Sequence, residues 1–466
     1  MGLTVNNLAT LSLLNILNRT SAAQDNVLLR MATGSRINRA ADDPAGLVAV
    51  ASLDAELTSV NAGISNNQRT DALLDVLDGA LSRISSLLSD IQSLAIASAS
   101  DASLTADELA ANQAQIDDAL KAINLIVTNT KFNGIRLLDG SLAIDSSLSG
   151  TAGSITDIRV FSRTPSSQST TLVVKLETAA SGAVATSVMT TSASEDTTFT
   201  VQGKLGTAVI TALSTENLSS VAYKINQATA QTGVSAVVSG TVLNLYSTDE
   251  GSAAFVRTRL VEGSGVNEVS DYGSDAVVTV NGQNTAVDGN RVTYSSNGIS
   301  LSFELGTLSE GGKVGLIVQG DAGGRSGATF QLGTSSATRA TLGIDSVHTS
   351  LLGNASGGYL ATLASGGANS LINNPTQAAA IARAAATQVN TLRGRIGAFQ
   401  RYQVSSALDS LSSIQEALTE AKTVINDVDY AEESAALSRY NILLQSAVSL
   451  LSMINQQRST VLSLLE

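Results

Sequence analysis

The chain has 466 residues, 43% of them apolar, enough to bury more than one core. Only 14% are charged, and 40 Asp and Glu against 27 Lys and Arg leave a net charge of −13, which excludes a nucleic-acid surface, because phosphates need clustered cations. Cysteine is absent and histidine occurs once, as His348, which excludes disulfides, thiolate nucleophiles, thiolate metal sites and histidine-triad or multi-histidine chemistry. Aromatics make up 3% and Trp is absent, a composition closer to polymeric surface material or an adhesin than to an enzyme with a deep pocket.

Residues 1–140 read as helix, 141–350 as short strands and turns rich in Thr, Ser, Val and Gly, and 370–466 as helix again. No run of 18 apolar residues occurs, so no spanning helix is expected. The first basic residue is Arg19, and Asn6, Asn7 and Asn15 interrupt the apolar start, which disfavours a cleaved secretory signal. The chain is then either cytoplasmic or exported by a route that needs no such signal. Over residues 3–33, Leu11, Leu14, Leu17, Val27 and Leu28 are apolar on more than one helix face. A lone molecule cannot easily cover such a surface, so this end is expected to order against neighbouring subunits.

The stretch from Arg30 to Leu47 is the most unusual local element. Gly34 is placed to break the first helix, and Pro44 to open the next with an aspartate as cap. Arg36 and Arg39 are expected to face Asp42 and Asp43. As internal surface pairs these would be worth about 0–1 kcal/mol; as an intersubunit contact, directed charge pairing would set register. Beyond Asn67, Leu74, Leu77, Leu81, Ile84, Leu88, Ile91 and Ala95 alternate steps of three and four, a heptad stripe. Thr105 with Glu108 predicts a capping box for a third helix carrying Leu109, Ile116, Leu120, Ile123 and Val127, ended at Phe132-Asn133-Gly134.

In the middle zone, alternation predicts strands at 155–161, 171–176, 199–201, 208–210, 234–238, 242–246, 276–280, 291–294, 299–305 and 313–318, with a tight turn at Asn281-Gly282 and a short helix over 217–231. One or two β-rich or α+β domains are expected, with a Ser- and Thr-rich exterior. Further on, Val404, Ala407, Leu411, Ile414, Leu418, Ala421, Ile425 and Val428 form a second heptad stripe. Two narrow stripes far apart in the chain are expected to pair with each other; the bland alternative is a separate bundle for each. Residues 437–465, with Leu437, Leu443, Leu444, Leu450, Leu451, Leu462 and Leu465, are again apolar on more than one face. Neither end carries a Lys/Arg-rich face, so a membrane-surface role is the weaker reading.

No catalytic constellation emerges. Asp42-Asp43 and Asp117-Asp118 are adjacent acids without the separation that a substrate between two carboxylates requires. The Gly-Gly pairs at 311 and 323 lack the lysine of a phosphate loop, and no His-Glu-x-x-His occurs. An enzyme is therefore not expected, nor a metal or cofactor.

The loop resembles the N-terminal signature of bacterial flagellins, here Thr33-Gly34, Arg36-Ile37-Asn38, Asp42-Asp43 and Ala45-Gly46-Leu47. Thr130-Lys131-Phe132-Asn133-Gly134, Phe330-Gln331-Leu332-Gly333, Asp429-Tyr430-Ala431-Glu432-Glu433 and the run from Leu437 to Gln445 are similar to further elements of that family. The resemblance covers roughly residues 1–140 and 325–466. It implies a mainly α terminal coiled-coil core with an inserted β-rich or α+β outer region, in an elongated multidomain chain. Residues 1–40 with 430–466 would be the terminal helices of an inner filament core, 41–145 with 325–429 a helical outer-tube domain with small β elements, and 146–324 a surface-exposed variable insertion. The implied function is a structural subunit that polymerises into the flagellar filament for swimming; the alternatives are a hook–filament junction protein, or a filament subunit whose outer domain also serves adhesion. Implied partners are many copies of itself, an export chaperone on the C-terminal helix, the filament cap and hook–filament junction proteins, and the flagellar export apparatus, with no nucleic acid and no membrane insertion. The implied location is the extracellular filament. The expected assembly interface comprises Arg30, Arg36, Ile37, Asn38, Asp42 and Asp43 in the loop, Leu77, Ile84, Leu88, Ile91, Leu411, Ile414, Leu418 and Ile425 on the stripes, and Leu451, Leu462 and Leu465 near the C-terminus.

Overall fold

A computed structural model describes residues 8–99, 104–150, 153–190, 195–354 and 357–463. Eight α-helices are described: α1 (Leu8–Thr33), α2 (Pro44–Ser98), α3 (Ala106–Asn129), α4 (Leu218–Gln227), α5 (Thr229–Thr232), α6 (Pro375–Phe399), α7 (Ser406–Asn426) and α8 (Tyr430–Ser463). Long terminal helices thus flank a β-rich centre, the fold class expected. The chain divides into two compact units, Met1–Asn66 with Ala407–Glu466, and Asn67–Ser406. The inner boundary implied by the resemblance lies instead at 40/41 and 429/430. The loop there offers a break, but α2 continues as helix well beyond it.

In the terminal unit, α1 and α8 run antiparallel. Arg30 pairs with Glu433 at 3.1 Å, and Gln24 Nε2 donates to Asn441 Oδ1 at 2.8 Å. Val27 and Ala447 are buried, and Leu13, Leu17, Leu437, Leu444 and Leu451 are half-buried. The first part of α2 and α7 are likewise antiparallel, tied by Lys422 to Asp54 and by Gln415 Nε2 to Asn61 Oδ1, both at 2.6 Å. Val60 and Leu411 are buried in this unit.

In the central unit, Leu74, Leu77, Leu81, Ile84, Leu88, Ile91 and Ala95 all have 0% exposure. The helix across from them is α6. Arg393 donates to both oxygens of Asp78, at 2.6 and 3.1 Å, Ser85 donates to Asn390 at 2.9 Å, and Gln400 Nε2 reaches Asp71 and Asp75 at 2.8 Å. That register sets the stripe opposite Phe399, Ile396, Leu392, Val389, Ala385, Ala382 and Ala378, all buried. The expected pairing of residues 74–95 with 404–428 is therefore corrected. The stripe of α7 faces residues 44–66 of α2, and the partner of residues 74–95 is a face of α6 with the same alternation of four and three, whose first three positions are the small Ala378, Ala382 and Ala385. Between Phe399 and Val404 the step is five, not four, and the π-helical turn Gln400–Ser405 takes up the extra residue.

α3 adds Ile116, Leu120, Ile123 and Val127 to the buried set, and Thr105 and Glu108 form the expected capping box. The helix ends at Asn129, before Phe132-Asn133-Gly134; Asn133 and Gly134, both at positive φ, make the tight turn between strands Lys131–Phe132 and Ile135–Arg136. By length and composition α2 is apolar enough to cross a membrane, although it contains no continuous run of 18 apolar residues.

The β region is an insertion within an insertion. A six-stranded and a five-stranded sheet, drawn from residues 146–178 and 277–342, enclose one core that includes Val174, Leu301, Phe303 and Leu316. A four-stranded and a three-stranded sheet, from residues 184–272, enclose a second core with α4, including Phe199, Ile225 and Leu243. Every strand expected from alternation is present, and Asn281-Gly282 turns a hairpin with both φ positive. Short or less regular strands such as Val184–Met189 and Phe255–Glu262 are additional. The chain enters and leaves the outer sheets at one place: Arg325 pairs with Asp145 at 2.9 Å, also donating its amide to that carboxylate, and Ile144 bridges Ser326. Burial works against the charge of Asp145, but the Arg325 hydrogen bonds hold its pKa below the usual carboxylate value.

Candidate assembly surface

The loop between α1 and α2 is an intramolecular clasp within the terminal unit. Gly34, at φ +71°, ends α1 in the left-handed region. Ser35 and Asp427 form a β-bridge, the Arg36 amide donates to Asn426 O at 2.6 Å, and the Val428 amide to Gly34 O at 3.2 Å. The Arg36 guanidinium donates to Ile425 O at 2.8 Å, placing a cation on carbonyls that the end of α7 leaves without helical partners. Asn38 Nδ2 closes onto Ser35 O at 2.8 Å. Tyr430 OH reaches Met31 O at 3.3 Å.

The two aspartates differ in role. Asp42 accepts from the amides of Arg39 and Asn38, at 2.8 and 3.1 Å, and these bonds, that from Arg39 foremost, lower its pKa. Asp43 caps α2 by accepting from the Gly46 amide at 2.9 Å, with Pro44 as the first helical residue. The expectation that Arg36 and Arg39 face these carboxylates is corrected for Arg36, which is spent on α7; backbone amides satisfy Asp42 and Asp43, and the charge of Arg39 adds to the lowering at Asp42. Ile37 is buried over Gly46, where a Cβ would stand 2.6 Å from Ile37 Cδ1, so a larger residue there would have to push the Ile37 and Asp43 side chains aside.

Large apolar side chains face outward from the same unit. Leu11, Leu14, Ile16 and Leu28 on α1, Leu47 and Val48 on α2, and Ile442, Leu443, Val448, Leu450 and Met453 on α8 are exposed, Val48 by 68% and Met453 by 56%. These positions lie off the α1–α8 seam. A soluble monomer rarely shows so many large apolar side chains on its helices, and surfaces of this kind mark association.

Three comparisons with known proteins bear on what that surface serves. The models for the bacterial flagellin N-terminal helical region, the bacterial flagellin C-terminal helical region and the flagellin hook IN motif match residues 5–143, 379–465 and 198–249. The chain is 26% identical to a flagellin of Clostridium tyrobutyricum over 97% of its length and 98% of the relative. It is 28% identical to the B-type flagellin of Pseudomonas aeruginosa, with both chains wholly covered. The chain belongs to the bacterial flagellin family. Among solved structures, a flagellar junction protein from Legionella pneumophila overlaps 82% of this chain and 99% of its own at 14% identity, with a TM-score of 0.27, too low to place any element.

In this flagellin-family chain the residues expected at the assembly interface separate by burial. Leu77, Ile84, Leu88 and Ile91 have no exposed surface, and Leu411 is buried; they hold the subunit together and are not free to meet a neighbour, because α6 and the first part of α2 already cover them. Arg30, Arg36, Ile37, Asn38, Asp42 and Asp43 are engaged in the clasp, and Leu418, Ile425 and Leu451 are half-buried. Ile414 is exposed. The Leu462 side chain and Leu465 lie outside the described residues. Of the off-seam residues, Ile442 and Met453 fall in the C-terminal stretch whose apolar character extends over more than one face, whereas Val48, on α2, carries no such signal in the sequence. Among the described residues no group of acids and histidine could hold a metal.

Proposed function

We infer that this chain is the structural subunit that polymerises into the bacterial flagellar filament. The observation that carries the reading is the outward apolar surface of the terminal helices, in a chain that flagellin relatives match from end to end. Repeated heterologous contacts between identical subunits build an open helix, and the apolar area so removed from water supplies the driving force. Residues 1–40 and 430–466 would line the inner core, 41–145 with 325–429 the surrounding tube, and 146–324 the outer surface. The interface we propose is the off-seam set on α1, α2 and α8 with Ile414, and the clasp fixes how that set is presented.

The reading extends to export from the cell, an extracellular location, a non-enzymatic role, an export chaperone on α8, the export apparatus, and the cap and junction proteins as partners. It is supported by the relatives, which are flagellins by name. Electron microscopy of purified chain after seeding or salting-out tests it: filaments are expected, and a chain that stays monomeric under all such conditions would contradict it. Antibody labelling along whole filaments separates a main subunit from a junction protein, which would label only the base.

A further inference from the structure

Asp345 is a half-buried acid with one sealed carboxylate oxygen, and no part of the assembly reading uses it. It lies in the loop after strand Arg339–Leu342, where the six-stranded sheet meets α6. Part of the residue reaches solvent, but its Oδ2 is sealed and has no hydrogen-bond partner. The carboxylate borders a cavity of about 20 Å³, lined from the sheet by Arg159, Phe161 and Ser302 and from α6 by Gln388 and Leu392. The cavity has room for about one water.

Every charged group around it is committed elsewhere. Asp157 takes Arg159 at 3.0 Å and Arg291 at 3.4 Å, and Glu304 takes Arg291 at 2.6 Å. Arg325 is bound to Asp145 at 2.9 Å. Arg395, on α6, lies 3.4 Å above the Phe161 ring and donates to Ser300 at 3.0 Å. Arg159, Arg325 and Arg395 therefore act on Asp345 through their fields, and Asp157 opposes them. A carboxylate enclosed without a bonded counter-charge is costly when ionised.

We propose that Asp345 makes the seat between the six-stranded sheet and α6 a proton-responsive joint, looser when the carboxylate is ionised and tighter when it takes a proton. Burial, the largest influence, raises the Asp345 pKa to about 6, with the Arg159 charge pulling it back. The sign follows from linkage. The opened state has the ordinary value near 3.8, so between the two values the closed seat binds more protons and stability rises as pH falls. The carboxylates with lowered pKa, such as Asp145 and Glu108, lose their contribution only at lower pH.

Hydrogen exchange on the full-length monomer, corrected for the intrinsic pH dependence, tests this at residues 159–161, 300–303, 343–347 and 388–396. The opening equilibrium should fall about tenfold from pH 8 to pH 5. Asp345→Asn should be insensitive to pH over that range and about a hundredfold less open than wild type at pH 8. A flat wild-type profile, a variant that keeps the slope, or a variant more open at pH 8 would each overturn the proposal. If the variant does not fold, the carboxyl carbon shift of labelled aspartate in wild type decides: a titration midpoint near 6 is expected, and one at the ordinary aspartate value overturns it.

Discussion

Two heptad stripes written in the same grammar meet different fates. The stripe from Leu74 to Ala95 is wholly enclosed, by α6 on one side and α3 nearby. On α7, Leu411 is buried, but Leu418 and Ile425 are half-buried and Ile414 is exposed. The pair α1–α8 is similar, with Val27 and Ala447 buried and many leucines left wet. The difference lies in the number of helices around each stripe. Where a third helix of the same chain lies nearby, the stripe is core; where only two helices meet, the outer side remains exposed. Spacing alone establishes that a stripe will be buried, and the chain's own supply of covering helices decides whether it is finished in the monomer.

Substitutions can break or sharpen this contrast. Ile84→Asp places a charge in the closed seam and should destabilise the central unit by about 3–5 kcal/mol or prevent its folding, a loss visible in the thermal unfolding of the monomer. Val48→Asp or Met453→Asp should leave monomer stability within about 0.5 kcal/mol yet abolish filament formation by sedimentation. Normal polymerisation of both would remove the off-seam surface from the interface. Asp43→Ala removes the cap of α2 and should cost about 1 kcal/mol in the terminal unit, read as faster amide exchange at residues 44–47. Lys422→Ala deletes a half-exposed pair with Asp54 and should change stability by less than about 1 kcal/mol.

Much of this was legible in the sequence. The capping box at Thr105, the Asn281-Gly282 turn, the strands and both stripes follow from local chemistry and periodicity. Three features were not. The partner of residues 74–95 was obscured because Ala378, Ala382 and Ala385 bury little area each. The π-helical turn at Gln400–Ser405 adds one residue to a helix without any breaker to announce it. The destination of Arg36 was misread because nearby aspartates are conspicuous in sequence, whereas the carbonyl of Ile425 is 389 residues away. The clasp also explains why adjacent aspartates need no cationic partners: amides and a helix start satisfy them.

The central claim is that the terminal helices complete their burial in the polymer and the Leu74–Ala95 seam does not wait for it. Hydrogen exchange measured on monomer and on filament tests this directly. The account predicts fast exchange over residues 11–33 and 430–457 in the monomer, strong protection there in the filament, and slow exchange over 74–95 in both. Equal protection of the terminal helices in the two states would contradict it.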